Sequence, residues 1–173
     1  IPFGAIERPE GEFPAQNWID HGDGTRGVML LNRGLPGNNV VDGVMMLSLL
    51  KCTAIKEGYG ESGGFRLSTP TDKGYELGVR HAFDYALAPH GGDWRDGACC
   101  RRGLEFNRPL VPVKAAASAR TLPARTSFVS VSHANVVCSS VRRSGDAVAV
   151  RVYEAHGRPA AGVRLKLLWP VAG

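Results

Sequence analysis

The strongest signal of fold class lies in VVCSSVRRSGDAVAVRVYE, residues 136–154. In its second half, Val148, Val150 and Val152 alternate with small or polar residues. A period of two is typical of a strand that buries one face and exposes the other. The turn residues Ser144-Gly145-Asp146 separate this run from the strand-like run before it. The stretch therefore predicts an antiparallel β-hairpin.

Further strand-like runs occur on both sides of this hairpin. They are apolar or alternating and lie at 27–31, 44–50, 75–87, 128–132 and 163–168. We expect the first two to pair with each other across the Gly-, Pro- and Asn-rich turn at 33–39. Residues 94–106 can form a short helix. The pattern predicts an all-β fold: an antiparallel β-sandwich with one short helix at most.

Turn-forming residues divide the chain into four predicted parts. Residues 1–12 form an extended arm, and residues 13–110 form the main part of the sandwich. Residues 111–126, which are rich in alanine and contain two prolines, form a linker. Residues 127–173 carry the C-terminal strands, which pack on the sandwich or form a small second β-domain.

Composition and charge exclude several classes of function. The net charge is +5, but the basic residues are scattered in runs no longer than two, and aromatic residues make up only 8%. This is unlike a nucleic-acid-binding surface, which concentrates charge and adds stacking aromatics. No apolar run approaches the roughly 20 residues that span a bilayer. The chain begins at Ile1 rather than at a methionine, and we expect it to be a piece of a longer polypeptide.

The cysteines favour a reducing compartment. Cys52, Cys99, Cys100 and Cys138 show no CxxC or Cys/His spacing of the kind that binds zinc. We therefore predict reduced thiols in a cytoplasmic protein. A disulfide between distant cysteines is the alternative.

Two polar loops are candidates for metal binding or acid–base catalysis. Asp20-His21-Gly22-Asp23 could offer ligands to a metal, but such a loop is more often a turn in which Asp caps backbone amides. His90 and Asp93 form a predicted loop-ordering pair at the end of a strand, with an acid–base role as the alternative. The sequence contains no GxSxG, HExxH, GxxxxGK or strand-linked GxGxxG motif. The residues alone therefore predict a non-catalytic β module with no metal site.

Four segments of the chain, in order, carry a family resemblance. They are PAQNWIDHGDGTRGVMLLNRGLPGNNVVDGVMMLSLLK (14–51), FDYALAPHGGDW (83–94), LEFNRPL (104–110) and SFVSVSHANVVCSSVRRSGDAVAVRVYEAHGRPA (127–160). Together they resemble the C-terminal region of the α-mannosidases of glycoside hydrolase family 38, from Ile1 to about Leu168. The stretch from 52 to 74 departs from the family because it is longer and more polar than the usual link.

The resemblance implies a specific parent enzyme. Members of the family are retaining, exo-acting hydrolases of terminal α-linked mannose, with roles in mannose metabolism. Their zinc ligands and aspartate nucleophile belong to an N-terminal domain, so the resemblance implies no catalytic residue and no cofactor in this chain. The chain is expected to be an accessory β-domain whose partner is the catalytic domain of the same polypeptide. The substrates would be α-mannosides or oligosaccharides.

Four residues are candidates for contact with such a substrate. In the family, the loop after "LLN" lies toward the domain interface, so Arg33 and, with less support, Asn32 are substrate-pocket candidates. A surface arginine that pairs locally is the alternative for Arg33. Trp18 and Trp94 are sugar-stacking candidates, although anchors of a core or an interface are the more frequent role of such residues.

Two other functions remain open. A freestanding carbohydrate-binding or protein-interaction module would bind sugar by itself and lose that binding on Trp94→Ala. An independent hydrolase would use the loop that contains His90 and Asp93. The resemblance favours the accessory domain over both.

Overall fold

The computed structural model describes residues 4–50, 80–114 and 123–168. Within these ranges the chain forms ten antiparallel strands in four small sheets and one helix. The all-β, antiparallel class with one short helix is confirmed. The elements are β1 (Gly11–Pro14), β2 (Trp18–Gly22), β3 (Arg26–Asn32), β4 (Gly37–Val41), β5 (Val44–Leu47), β6 (Tyr85–Gly91), α1 (Cys99–Asn107), β7 (Val129–Val131), β8 (Val136–Ser144), β9 (Ala147–Glu154) and β10 (Leu165–Leu167).

The sheet β2-β3-β6 holds the main core. β3 lies in the centre and pairs with β2 on one side and β6 on the other. Its sequence is an almost continuous apolar run because both of its faces are covered. Met29 and Leu31 point to the face under α1, where they pack with Cys99 and with partly buried Trp18 and Phe106.

α1 approaches this sheet closely because of a glycine. A Cβ atom added at Gly103 would overlap Cδ1 of Trp18, so only glycine lets the helix pack against this indole. The helix begins after Ala98, whose backbone is left-handed with φ 53°, and no side chain caps it. Residues 94–98, where the sequence predicted the helix to start, form turns instead.

The second three-stranded sheet, β1-β4-β5, contains a tight hairpin turn at Asp42-Gly43. Both turn residues have positive φ, 49° and 74°. The carboxylate of Glu10 accepts hydrogen bonds from the N–H groups of Gly43 and Asp42 at 2.9 and 3.0 Å. These bonds lower the pKa of Glu10 because they favour its charged form. They also attach the residue before β1 to the turn between β4 and β5.

The predicted pairing of 27–31 with 44–50 is wrong. β3 and β5 belong to different sheets, and β5 pairs with β4, a strand that begins inside the predicted turn at 33–39. The reason lies at Asn32, whose buried amide donates to the carbonyls of Ala15 and Leu35 at 3.0 and 2.9 Å. These bonds turn the chain out of the first sheet before it can form a hairpin with β3.

The long strand predicted at 75–87 overlaps the observed strand β6 at residues 85–87. Residues 75–79 lie outside the described ranges, and residues 80–84 are not strand. β6 instead runs from Tyr85 to Gly91 and includes Pro89 and His90, which the sequence placed in a turn. Proline is tolerated there because β6 is an edge strand of its sheet.

The C-terminal hairpin is confirmed. β8 and β9 pair around a turn at Gly145, with an irregularity between Cys138 and Ser140. β7 and β10 form a separate two-stranded sheet. The boundaries of the four predicted parts stay predictions. Residues 115–122 of the linker and the whole stretch 52–74 lie outside the described ranges.

Candidate functional site

Three side chains that can take part in acid–base chemistry or bind a metal meet on the α1 face of the sheet β2-β3-β6. Asp20 lies in β2 opposite Met29, and His90 lies in β6 opposite Gly27. Cys99 is the first residue of α1. Because β2 and β6 pair with opposite edges of β3, Asp20 and His90 meet across the central strand. Gly27 leaves the space for that contact.

The three groups converge on one ring nitrogen. His90 Nε2 lies 2.8 Å from Oδ1 of Asp20 and 3.9 Å from Sγ of Cys99. The other ring nitrogen, Nδ1, lies 3.3 Å from the carbonyl oxygen of Gly91. The His90 and Asp20 side chains are only 3% and 12% exposed, and Cys99 is fully buried. The atoms that could bind a metal, a carboxylate oxygen of Asp20, a ring nitrogen of His90 and Sγ of Cys99, all lie within 4.8 Å of one another.

Glycines hold the imidazole in place. A Cβ atom at Gly97 would lie 2.6 Å from Cγ of His90, and one at Gly27 would lie 2.8 Å from its Cε1. Neither distance is compatible with van der Waals packing, so both positions require glycine as long as the imidazole stays where it is. The cluster is therefore part of a tightly packed core.

The electrostatics of this cluster disfavour nucleophilic catalysis. The hydrogen bond with Asp20 raises the pKa of His90. Burial raises the pKa of the Cys99 thiol to about 12, so the thiol stays protonated at neutral pH in the metal-free chain. A catalytic triad also places its nucleophile and its carboxylate on opposite ring nitrogens. Here both approach Nε2, so the cluster does not act as a charge-relay system.

The predicted pairing of His90 with Asp93 is wrong. Both ring nitrogens of His90 have other partners, as described above. The Asp93 carboxylate instead accepts from the backbone N–H of Arg95 at 2.7 Å and from its Nη1 at 2.9 Å. Burial alone would raise the pKa of Asp93, but the bonds from Arg95 and the Asp96 N–H lower it overall. Asp93 orders its own loop without help from the histidine.

The Asp93–Arg95 pair also connects this loop to the end of the C-terminal hairpin. Arg95 Nε donates to the carbonyl oxygen of His156 at 3.0 Å. The Arg95 guanidinium lies 4.1 Å from the centre of the Trp94 ring, and Trp94 meets the His156 ring edge-on at 5.5 Å. Arg158 approaches Asp93 at 3.9 Å. The loop before α1 is thus tied to the segment that follows β9.

Arg33 is engaged within the chain. Its Nη1 donates to Asp84 at 2.8 Å, and its Nε and Nη2 donate to the carbonyl oxygen of Phe106. The guanidinium also lies 4.6 Å from the centre of the Phe106 ring. The side chain keeps 37% of its surface exposed. This is the local pairing that the sequence offered as the alternative, and the substrate contact stays a prediction.

Asn32 does not line a pocket in this chain. The residue is fully buried, and its side-chain nitrogen is used by the two carbonyls at the end of β3. Its Oδ1 has no hydrogen-bond partner in the structure. The structure thus uses Asn32 to turn the chain out of the sheet, and its substrate contact stays a prediction.

Trp18 and Trp94 pack on each other and on the core. Their rings lie 5.7 Å apart at an angle of 37°. Both also contribute to the wall of a groove of about 590 Å³ that runs beside residues 4–24. Their packing on each other fits the role of core anchors. Stacking on a sugar ring stays a prediction, and the groove is where such a ring would bind.

Sequence reasoning missed the Asp20–His90–Cys99 cluster as a unit. Asp20 and His90 are 70 residues apart, and Cys99 follows His90 by nine. No spacing motif covers such a set, because the contacts arise from the pairing of β2 and β6 with β3. The only local signal is the glycine content around these residues.

Most of the chain is similar to a small part of larger proteins. No family model matches the chain. The α-mannosidases 2C1 of Homo sapiens and Mus musculus are each 29% identical to it over 91% of its length, and the chain spans 15% of either protein. A crystal structure of a protein in glycosyl hydrolase family 38 from Enterococcus faecalis superposes with a TM-score of 0.76 and 16% identity. That match covers 95% of this chain and 19% of the other.

The resemblance to family 38 α-mannosidases is thereby confirmed. The structural match shows that the same fold occurs within a much longer chain. The sequence matches likewise cover only a small part of the two α-mannosidases. Within the described ranges, no helix is long and apolar enough to cross a membrane.

Proposed function

We propose that this chain is the C-terminal accessory domain of a retaining, exo-acting, zinc-dependent α-mannosidase of the cytoplasm. The observation that carries the proposal is the match of 91% of the chain to a 15% share of α-mannosidase 2C1. A domain that occupies so small a share leaves room for a catalytic domain elsewhere in the same polypeptide. By the family resemblance, that catalytic domain supplies the zinc ion, the aspartate nucleophile and the recognition of terminal α-linked mannose.

The small core supports an accessory role. Among the described residues, the buried hydrophobic ones are Met29, Leu30, Leu31, Leu35, Cys99, Val136 and Ala155. Large apolar side chains remain exposed on several strands and beyond α1, namely Val44, Met46, Tyr85, Leu87, Leu110, Val111, Val113, Val141 and Val148. Exposed apolar surface of this extent is typical of a domain that packs against another part of its protein.

Arg33 is the residue through which this domain would complete the pocket. Its guanidinium bonds to Asp84 at the surface, where that carboxylate is 66% exposed. A sugar hydroxyl or a carboxylate of the catalytic domain could replace Asp84 there without breaking the bonds to Phe106. The planar donor array of arginine suits both kinds of acceptor.

The test compares the full-length product of the gene with this chain, using hydrolysis of an aryl α-mannoside in the presence of zinc. We expect turnover by the full-length protein and none by the 173-residue chain. Turnover by the chain alone, abolished by His90→Ala, would overturn the proposal in favour of an independent hydrolase. A folded, zinc-loaded full-length protein that does not hydrolyse any α-mannoside would reject the parent activity.

A freestanding carbohydrate-binding module is the second candidate, and one observation favours it. The groove of about 590 Å³ is lined by both Trp18 and Trp94, together with carboxylates that can accept hydrogen bonds from sugar hydroxyls. Isothermal titration of the chain with mannose oligosaccharides tests it. Binding that Trp94→Ala removes would favour the module, whereas the accessory domain should show no measurable heat of binding by itself.

A further inference from the structure

We propose that Asp20, His90 and Cys99 bind one divalent cation of the zinc class. This inference goes beyond the function proposed above and does not rest on it. It starts from the three donor atoms that the fold brings together on the α1 face of the sheet β2-β3-β6.

The donor set suits a borderline-soft transition metal. A carboxylate oxygen, an imidazole nitrogen and a cysteine sulfur are the three kinds of side-chain ligand that zinc uses in proteins. A thiolate in the set disfavours Mg²⁺ and Ca²⁺, which prefer oxygen ligands. Three protein ligands leave a fourth tetrahedral position for water or for a further group.

The geometry allows an ion to fit after small side-chain movements. Oδ1 of Asp20 and Sγ of Cys99 both approach Nε2 of His90, at 2.8 and 3.9 Å. Ligands at about 2.0 to 2.3 Å from a tetrahedral ion lie about 3.3 to 3.7 Å from one another. The oxygen would have to retreat from Nε2 by about half an ångström and the sulfur approach by a few tenths, changes that side-chain rotation supplies.

The surroundings of His90 match those of a metal-binding histidine. Such a histidine donates its second ring N–H to a carbonyl or carboxylate, which fixes the tautomer that leaves the other nitrogen free to coordinate. Here Nδ1 lies 3.3 Å from the carbonyl oxygen of Gly91. The close contacts with Gly27 and Gly97 hold the ring in this orientation.

The cluster is buried but has a path to solvent. Asp20 lies on the wall of the groove that Trp18 and Trp94 also line. Its side chain is 12% exposed, whereas His90 and Cys99 lie behind it. An ion can therefore reach the three ligands past Asp20, and its binding would release the thiol proton of Cys99 to solvent.

The competing explanation is a purely structural hydrogen bond. If Nε2 carries a proton and donates a hydrogen bond to Asp20, then His90 and Asp20 form a structural pair next to the inert thiol of Cys99. The two explanations place the proton of His90 differently and give Cys99 different roles, so metal binding separates them.

The test uses Co²⁺ as a spectroscopic substitute for zinc on the purified chain, after circular dichroism has shown that it is folded. We expect one equivalent of Co²⁺ to produce a thiolate-to-cobalt charge-transfer band and the visible bands of tetrahedral cobalt. Cys99→Ser should remove the charge-transfer band, while Cys138→Ser should leave it unchanged. His90→Ala should weaken Co²⁺ binding at least tenfold. Absence of the band in the folded wild-type chain, or a band that survives Cys99→Ser, would overturn the proposal.

A second measurement uses only the wild-type chain and therefore does not depend on whether the variants fold. Zinc added to the wild-type chain should raise its melting temperature, and a chelator should reverse the rise. If the isolated chain does not fold, elemental analysis of the full-length protein replaces the titration. Cys99→Ser should then lower the zinc content by one equivalent per polypeptide. An unchanged zinc content, or an unchanged melting temperature in the folded chain, would contradict the proposal.

Discussion

The sheet β2-β3-β6 and the β8–β9 hairpin are both antiparallel, yet they bury their apolar side chains to different extents. In the sheet, Met29 is fully buried and Leu31 is 7% exposed beneath α1. In the hairpin, Val141 and Val148 keep 47% and 49% of their surface exposed. The first region has its own core. The second presents an apolar surface that, in our proposal, the rest of a longer polypeptide covers.

The largest effect is expected from Met29→Ala. Removing a fully buried methionine side chain beneath α1 should lower the free energy of unfolding by about 2 to 5 kcal/mol. Met46→Ala is the matched control, because Met46 is 42% exposed in β5 and should cost less than about 1 kcal/mol. Urea denaturation of both variants measures the difference. Equal losses would show that the core is not centred on this sheet.

Gly97→Ala tests the packing around His90. Its new Cβ would lie 2.6 Å from Cγ of His90, so we expect a loss of about 1 to 3 kcal/mol from overpacking. Gly91→Ala serves as the control, since its nearest neighbour outside the adjacent residues would be the Thr25 oxygen at 4.0 Å. Thermal unfolding reports both. If Gly97→Ala is as stable as Gly91→Ala, the imidazole does not occupy the position described here.

Arg95→Ala tests the connection between the two regions. It removes the bonds of Arg95 to the Asp93 carboxylate and to the carbonyl oxygen of His156, for an expected loss of about 1 to 2 kcal/mol. Arg143→Ala is the control, because its ion pair with Asp146 at 3.7 Å is fully at the surface and should contribute less than about 0.5 kcal/mol. Urea denaturation measures both variants, and equal losses in the free energy of unfolding would mean that the two regions are not coupled through Arg95.

The smallest effect is expected from pH at Glu154. Burial alone would raise the pKa of its carboxyl, but hydrogen bonds from the His156 N–H, the Asn135 amide and the Arg158 N–H lower it below the ordinary value of 4.5. The unfolded chain then binds the proton more readily than the folded one. The stability due to this group is therefore present above pH 4.5 and is lost as the pH falls through the lowered folded value. Glu154→Gln should flatten that part of the pH profile, and an unchanged profile would contradict the assignment.

The two regions also differ in how far the sequence predicts them. The position of β9 follows from the alternation of Val148, Val150 and Val152, because a period of two is typical of a strand. The one-sided burial that the alternation predicts is not observed within this chain, where Val148 and Val152 stay 49% and 37% exposed. β3 is predicted as a strand, but its neighbours are not. A strand buried on both faces is a continuous apolar run, which carries no information about its partners. The hydrogen bonds of Asn32 decide that question, and they are formed only in the folded chain.

The candidate site depends even more on tertiary structure. The sequence identifies His90 as a polar residue at the end of a strand, but it pairs His90 with the nearby Asp93. The actual partner, Asp20, is 70 residues away and becomes a neighbour only through the pairing of β2 and β6 with β3. Proximity along the chain therefore misleads where a central strand brings two distant edges together.

The most direct test of the central claim is amide hydrogen exchange, measured on the 173-residue chain and on the full-length protein. The comparison concerns β8–β9 (136–154) and β3 (26–32). If the rest of the polypeptide covers the hairpin, exchange in β8–β9 should slow in the full-length protein, while β3, already covered by α1 and its own sheet, should change much less. Equal exchange of β8–β9 in both proteins would contradict the claim that this chain is an accessory domain packed on a catalytic partner.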